Sequence, residues 1–394
     1  MFVYQRAALQ GPADKTPSDN TPSDLGREAR LRHALAAFDT LRSSSEERGG
    51  SLLMQGALAS SEPTIHQCPG TGRRILCWLG LTRPNELAHR LSVSASTPGP
   101  RLVLAAFEKW GEACPRYLRG EYSFVITGAN GDMLLAARDA IGTRPLYYRD
   151  GAEGFLISAM AAVFPALIRS LEPDPWWLSC KLLRRSGDPR RTAWTDVFKV
   201  PPGHALTLRD GRAHVWRWHR FGENGSEHDA VQDEPPRTAA DWVVRYGDAL
   251  ETAVTTRVDL AESLGCEASG GIDSSAVLAM AVPYARQRGI PVQGFASLLQ
   301  DGEEHRVLVC SAHLRMEQTH VFVPQGQIYA PSEQLLHEIR VCGYPLEHRW
   351  PVGARSFLAL ARRLDVDTLL SGFGGDEIVS NHARKVPREL WSQR

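Results

Sequence analysis

Ser269-Gly270-Gly271-Ile272-Asp273-Ser274-Ser275 is the stretch whose reading decides the fold. It follows a short β-like run, Gly265–Ala268, and opens an apolar segment containing Val277, Leu278 and Met280. A strand-to-helix junction of this kind exposes backbone N–H groups at the positive end of a helix, which suits an anion. Two adjacent glycines let the backbone come close to a pyrophosphate, although each costs about 1 kcal/mol relative to Ala inside regular structure. Ser269, Ser274 and Ser275 add hydroxyl donors. Asp273 would repel phosphate unless a Mg²⁺ stood between them, and carboxylates with phosphate oxygens are the usual shell of that ion. The plainer reading is a tight turn with Asp273 or Ser274 as helix N-cap. On this loop alone the two readings balance, because the chain has neither G-x-x-x-x-G-K-[ST] nor G-x-G-x-x-G.

A second loop tips the balance. Ser371-Gly372-Phe373-Gly374-Gly375-Asp376-Glu377 again follows an apolar strand end, Leu369-Leu370. Ligands of open α/β sheets collect at the carboxyl edge of the strands. Two glycine loops at that edge, each ending in aspartate, would supply Asp273 and Asp376 to one Mg²⁺ on a pyrophosphate. Gly374 and Gly375 would give the second loop the same close approach.

Outward from the loops, the pattern alternates. Strands are predicted at Gly265–Ala268, Val292–Ser297, His320–Val323 and Thr368–Leu370. Helices are predicted at Ala240–Val258, Ser274–Arg286, Glu303–Arg315 and Ala354–Arg363. Such alternation argues an α/β, doubly wound parallel sheet covered on both faces. Upstream, from Ser51 to His219, short β-like runs dominate, among them Arg74–Trp78, Tyr122–Ile126 and Met133–Ala136. A hairpin is expected at Asn130-Gly131, whose residue types tolerate positive φ. Gly11–Asp24 is rich in Pro, Asp, Ser and Thr and reads as mobile; a helical stripe of Leu31, Ala34, Leu35, Phe38 and Leu41 follows. The expected organisation is a variable, partly mobile segment (1–50), a first domain (51–220), a charged Pro-containing linker (221–237) and the glycine-loop domain (238–394).

Composition limits the partners. The chain has 394 residues with 45 Lys+Arg and 45 Asp+Glu, so its zero net charge gives no broad basic footprint for a nucleic acid. Its seven cysteines are scattered and never spaced C-x-x-C, which argues against a disulfide framework or zinc site and for a reducing cytoplasm. The amino terminus lacks a signal-peptide pattern. The longest apolar stretch, Phe155–Ile168, contains Pro165 and falls short of the roughly 20 residues that span a bilayer, so no membrane partner is expected.

The two loops are also where the chain resembles a family. S-G-G-x-D-S and S-G-x-G-G-D-E are similar to the pyrophosphate loop and second metal loop of glutamine-dependent asparagine synthetases and their relatives, the β-lactam synthetases and lasso-peptide macrolactam cyclases. The first half resembles the family's αββα Ntn-hydrolase domain through Gly120–Phe124, the run Arg138-Asp139-Ala140-Ile141-Gly142-Thr143-Arg144-Pro145-Leu146-Tyr147-Tyr148, and Val200–His204. The likeness runs from about Leu52 to Asn381. Two departures stand out. Family glutaminases use a cysteine exposed as the first residue, whereas here Phe2 follows Met1 and the first cysteine is Cys68. The family's N-G-E amide clamp reads Trp78-Leu79-Gly80. Without nucleophile or clamp, glutamine hydrolysis has no visible machinery, and Arg138 and Asp139 are expected to form a structural ion pair. The relatives continue well beyond the position of Arg394, so the chain is expected to be a fragment, and Lys385 to lie on a solvated helix face rather than serve as a catalytic lysine.

The resemblance implies an ATP-dependent amide ligase using ATP and Mg²⁺. A carboxylate attacks the α-phosphate, and an amine then displaces AMP. The implied roles are Ser269, Gly270, Gly271, Ser274 and Ser275 around the pyrophosphate, Asp273 and Asp376 on the metal, Ser297 on the strand passing the adenine, and Glu377 toward the substrate. With no glutaminase, the simplest amine is one on the substrate itself, as in macrolactam closure of a small-molecule or peptide carboxylate. A precursor peptide and a second copy of the chain are the partners this allows. Asparagine synthesis from ammonia or glutamine, and a non-catalytic nucleotide-binding relative, are the alternatives.

Overall fold

The computed structural model describes residues 2–7, 28–29, 32, 41–48, 50–58, 64–152, 154–168, 171–183, 185, 187–221, 238–298, 303–316, 318–322, 336, 339 and 352–375. The chain divides into two compact units, with the main boundary between Gln232 and Asp233.

The first unit contains two six-stranded sheets. One has the order β10-β8-β9-β1-β3-β2, from β1 (Phe2–Ala7), β2 (Leu41–Arg48), β3 (Ser51–Leu58), β8 (Tyr147–Gly151), β9 (Gly154–Ser158) and β10 (Phe198–Lys199). The other has the order β12-β11-β7-β6-β5-β4, from β4 (His66–Gln67), β5 (Arg74–Leu81), β6 (Gly120–Thr127), β7 (Met133–Arg138), β11 (His204–Arg209) and β12 (Arg212–Arg217). Every pairing in both is antiparallel. The side-chain alternation of the strands assigns the layers. Phe2, Tyr4 and Leu53 of the first sheet share one buried cluster with Leu76, Val125 and Leu206 of the second. The opposite face of the second sheet, with Phe124 and Ile126, is covered by α1 (Pro84–Leu91) and α2 (Gly99–Trp110). The opposite face of the first, with Val3, Leu52 and Met54, is covered by α3 (Val163–Leu167). A further helix, α4 (Pro175–Leu182), starts at Asp174, whose carboxylate accepts from the Trp176 and Trp177 amides. Helix, sheet, sheet, helix is the αββα layering expected from the resemblance.

Three local expectations change. Phe2–Ala7 is a buried inner strand, paired with both β3 and β9, rather than part of a variable segment. Leu41 begins β2 instead of closing a helical stripe; most of that stripe, like Gly11–Asp24, lies outside the described residues. The hairpin between β6 and β7 is present, but only Gly131 has positive φ, and the loop is closed by Gly128 N–H to Asp132 O at 2.8 Å, longer than a two-residue turn.

The second unit is the glycine-loop domain. Its sheet has the order β15-β14-β13-β16, from β13 (Leu264–Glu267), β14 (Val292–Ser297), β15 (Thr319–Phe322) and β16 (Thr368–Leu370), all parallel. One face packs α5 (Ala239–Val258), α6 (Ile272–Gln287) and α7 (Glu303–His313) through Val254, Val258, Leu278, Val282 and Cys310. The other packs α8 (Val352–Arg363) over Phe295 through Leu360 and Ala361. A doubly wound parallel sheet is thus observed. The chain runs outward from β13 to β14 and β15, then returns to the other side of β13 for β16. The winding reverses there, so a topological switch point lies between the strands that carry the two glycine loops. Among the described residues, no helix is long and apolar enough to cross a membrane.

Candidate active site

The first loop leaves β13 at Ala268, whose amide is held by Phe295 O at 2.7 Å. Gly270 takes φ +74°, a conformation that L side chains rarely adopt. It has a second reason to be glycine: a Cβ there would meet Arg306 Cβ at 2.6 Å and the Val307 amide nitrogen at 3.1 Å, so α7 packs directly on the loop. Gly271 is the N-cap of α6, and among the described residues no side chain caps that helix. The first-turn amides are therefore left for an outside acceptor. The expected caps are corrected on this point, since Asp273 and Ser274 both lie inside α6, which begins at Ile272. The serines brace the loop from within. Ser269 Oγ lies 2.8 Å from the buried Ser274 Oγ and accepts weakly from the Gly271 amide at 3.4 Å. Cys310 Sγ donates to Ser275 Oγ at 3.6 Å.

The second loop docks on the first. A Cβ added to Gly372 would overlap the Ser274 amide nitrogen and stand 2.8 Å from the Asp273 carbonyl carbon. A Cβ added to Gly375 would stand 2.5 and 2.6 Å from the two Asp273 carboxylate oxygens. Gly374 takes φ +100°, and Gly375 N–H bonds Gly372 O at 3.2 Å, which folds the loop back toward Asp273. The glycines allow two backbones and one carboxylate to share a volume that any side chain would fill. Asp376 and Glu377, expected as metal ligand and substrate-facing residue, lie outside the described residues. Ser297 ends β14, one strand over, and its buried hydroxyl has no hydrogen-bond partner among the described residues.

Sequence reasoning passed over Glu267, the last residue of β13. Burial raises its carboxyl above the ordinary range. The signal was available: a lone acidic residue in the strand Leu-Gly-Cys-Glu, immediately before the loop.

The first unit holds the segments where a glutaminase would work. Phe2 is buried at the head of β1. Trp78 lies under the Arg144 guanidinium, 4.6 Å from the ring centroid, and Arg144 pairs with Glu121 at 3.0 Å. Burial pushes the Cys77 thiol up to about 12, leaving it protonated at neutral pH. Arg138 and Asp139 are structural, but the backbone satisfies them. Asp139 accepts from the amides of Tyr122, Ile141, Gly142, Thr143 and Arg144, while Arg138 donates to the carbonyls of Gly142, Arg144 and Val200. Two sets of backbone bonds thus hold the two side chains and lock one turn.

A glutamine amidotransferase domain model matches residues 85–219, and an asparagine synthase model matches residues 245–393. Among curated relatives, asparagine synthetase [glutamine-hydrolyzing] 3 of Bacillus subtilis is 28% identical over 52% of this chain and 32% of its own length. Asparagine synthetase [glutamine-hydrolyzing] 2 of Arabidopsis thaliana is 26% identical over 71% of this chain and 44% of its own. The chain thus carries a glutamine amidotransferase-type domain followed by an asparagine synthase domain. Amidase chyE of Penicillium rubens is a further relative, 29% identical over 47% of this chain and 27% of its own length. The chain aligns with less than half the length of each of these relatives.

Proposed function

We propose that this chain is the nucleotide-binding part of an ATP-dependent carbon–nitrogen ligase that activates a carboxylate as its adenylate and takes an amine from a source other than glutamine. The observation that carries the reading is the docking of Gly372 and Gly375 on Ser274 and Asp273, which brings two loops together at the switch point of a parallel sheet. The residues suit a Mg²⁺–pyrophosphate group. Uncapped first-turn amides and a cradle too small for any Cβ meet the phosphate oxygens, and Asp273 offers a carboxylate beside them. Asp273 and, from the second loop, Asp376 would hold the metal, which supplies charge neutralisation as the bond between the α- and β-phosphates breaks.

The chain's own contribution is positional. Ser269, Gly270, Gly271, Ser274 and Ser275 fix the pyrophosphate leaving group, so that a carboxylate entering over the edge attacks the α-phosphate in line. The carboxylate oxygen forms the new P–O bond as pyrophosphate departs. An amine then attacks the activated carbonyl, losing a proton as AMP leaves with the bonding pair. Glu377 is assigned to the substrate side of this step.

The Trp78–Arg144 stack, at the segment where the resemblance implies an amide clamp, supports an amine source other than glutamine. Intramolecular closure of a small-molecule or peptide substrate to a macrolactam is the simplest reaction that needs no glutaminase. The test is mass spectrometry of carboxylate–amine substrates incubated with the protein, ATP and Mg²⁺. Loss of one water from a substrate with stoichiometric AMP is expected. Asparagine formed from aspartate and ammonia would move the assignment to a synthetase proper, and ADP in place of AMP would contradict the adenylate.

A further inference from the structure

We propose that Glu267 and Ser297 together read the amino edge of the adenine base, so that this site selects ATP over nucleotides with a 6-oxo purine. The proposal rests on the ATP reading above and adds to it the side chains that choose the base.

Glu267 ends β13 in register with Phe295 of β14, and Ser297 lies two residues further along β14. Residues paired across a parallel sheet point to the same face, and so do residues two apart along a strand. Phe295 belongs to the cluster beneath α8, whereas Leu264 and Cys266 belong to the cluster beneath α6. Glu267 and Ser297 therefore lie on the α8 face, on adjacent strands, at the carboxyl edge where the first loop begins. Neither has a hydrogen-bond partner among the described residues, and the Ser297 hydroxyl is buried. A buried hydroxyl without a partner is costly and calls for a ligand group, and the half-buried Glu267 carboxylate is free to accept beside it.

The direction of the nucleotide is restricted. On the β16 side the first loop is covered by Gly372 and Gly375, and against Gly270 it is covered by α7. A nucleoside leaving the phosphate cradle is thus directed over β13 and β14 toward Glu267 and Ser297. An acceptor beside a donor complements adenine, whose N6 amino group donates next to ring nitrogens that accept. A 6-oxo purine puts a carbonyl oxygen opposite the Glu267 carboxylate, and a site built to bond an N–H discriminates strongly against a ligand without one.

Isothermal titration calorimetry with tripolyphosphate, ATP and ITP, each in Mg²⁺ buffer without substrate, tests this. The unaltered protein is expected to bind ATP at least about tenfold more tightly than ITP. Glu267→Leu should lose most of that ratio through weaker ATP binding, leaving tripolyphosphate within about twofold, and Ser297→Ala should lose part of it. Glu267→Gln can turn its amide to donate to a 6-oxo group, so it should also lose most of the preference, through tighter ITP binding rather than weaker ATP binding. An ATP to ITP ratio near one in the unaltered protein overturns the proposal without any variant, and so does a ratio unchanged in a folded Glu267→Leu. Binding of neither tripolyphosphate nor ATP would instead remove the phosphate cradle itself, and the base-reading pair with it.

Discussion

At the residue scale, glycines and buried carboxylates carry the strongest constraints. Gly372→Ala places a methyl group on backbone atoms of Ser274 and Asp273 that cannot swing aside. Overpacking of this kind costs about 1–3 kcal/mol. The variant should melt lower and bind MgATP at least about tenfold more weakly, by calorimetry. Gly247→Ala is the contrast, because it lies within α5 with open space around it and should gain about 0.5–1 kcal/mol in urea unfolding. A loss at Gly247 comparable to that at Gly372 would mean that the crowding between the loops is not what matters. Glu267 gives a pH signature. Its carboxyl is raised by burial, so the native state holds a proton that the unfolded chain releases earlier. Stability then falls as pH rises from the ordinary glutamate range through the raised value. In urea titrations, Glu267→Gln should remove that fall and be the more stable form at neutral pH; an unchanged slope would place the carboxylate in water.

At the element scale, the second unit was the more legible half. β13 to β16 and the helices between them follow from short apolar runs alternating with helical periods, because a parallel sheet covered on both faces buries consecutive residues such as Gly294-Phe295-Ala296. The switch point could not be read this way, since spatial order is set by which faces the helices cover. In the first unit, β1 escaped because Phe2 and Tyr4 face one core and Val3 the other, so the strand shows no polar alternation and is too short to signal itself. β2, Leu-Arg-Ser-Ser-Ser-Glu-Glu-Arg, escaped for the opposite reason: it is a polar edge strand, tied down by pairing with β3. The R-D-x-x-G-x-R run was legible as a motif, but the backbone cage around Asp139 was not, because amide donors leave no trace in residue type. Asp139→Ala orphans five buried or half-buried amides and should cost about 3 kcal/mol or more in urea unfolding. A cost below about 1 kcal/mol would show that water replaces the cage.

At the scale of the whole molecule, the two units carry different kinds of claim. The first keeps the amidotransferase architecture, and the Trp78–Arg144 stack and the unreactive Cys77 support the proposal that it does not hydrolyse glutamine. No glutamate should be released from glutamine above the buffer rate. Release abolished by a thiol alkylator would contradict this and point to Cys68, the thiol pulled down by its Thr71 hydrogen bond. The second unit carries the central claim, that two glycine loops on neighbouring strands form one Mg²⁺-dependent ATP site. Its most direct measurement is calorimetry of a non-hydrolysable ATP analogue, with and without Mg²⁺, against the unaltered protein, Asp273→Asn and Asp376→Asn. A shared metal between the loops predicts tight binding only with Mg²⁺, weakened about tenfold or more by either substitution, since each removes a charged ligand. Binding that is indifferent to Mg²⁺, or unchanged in both variants, would contradict it.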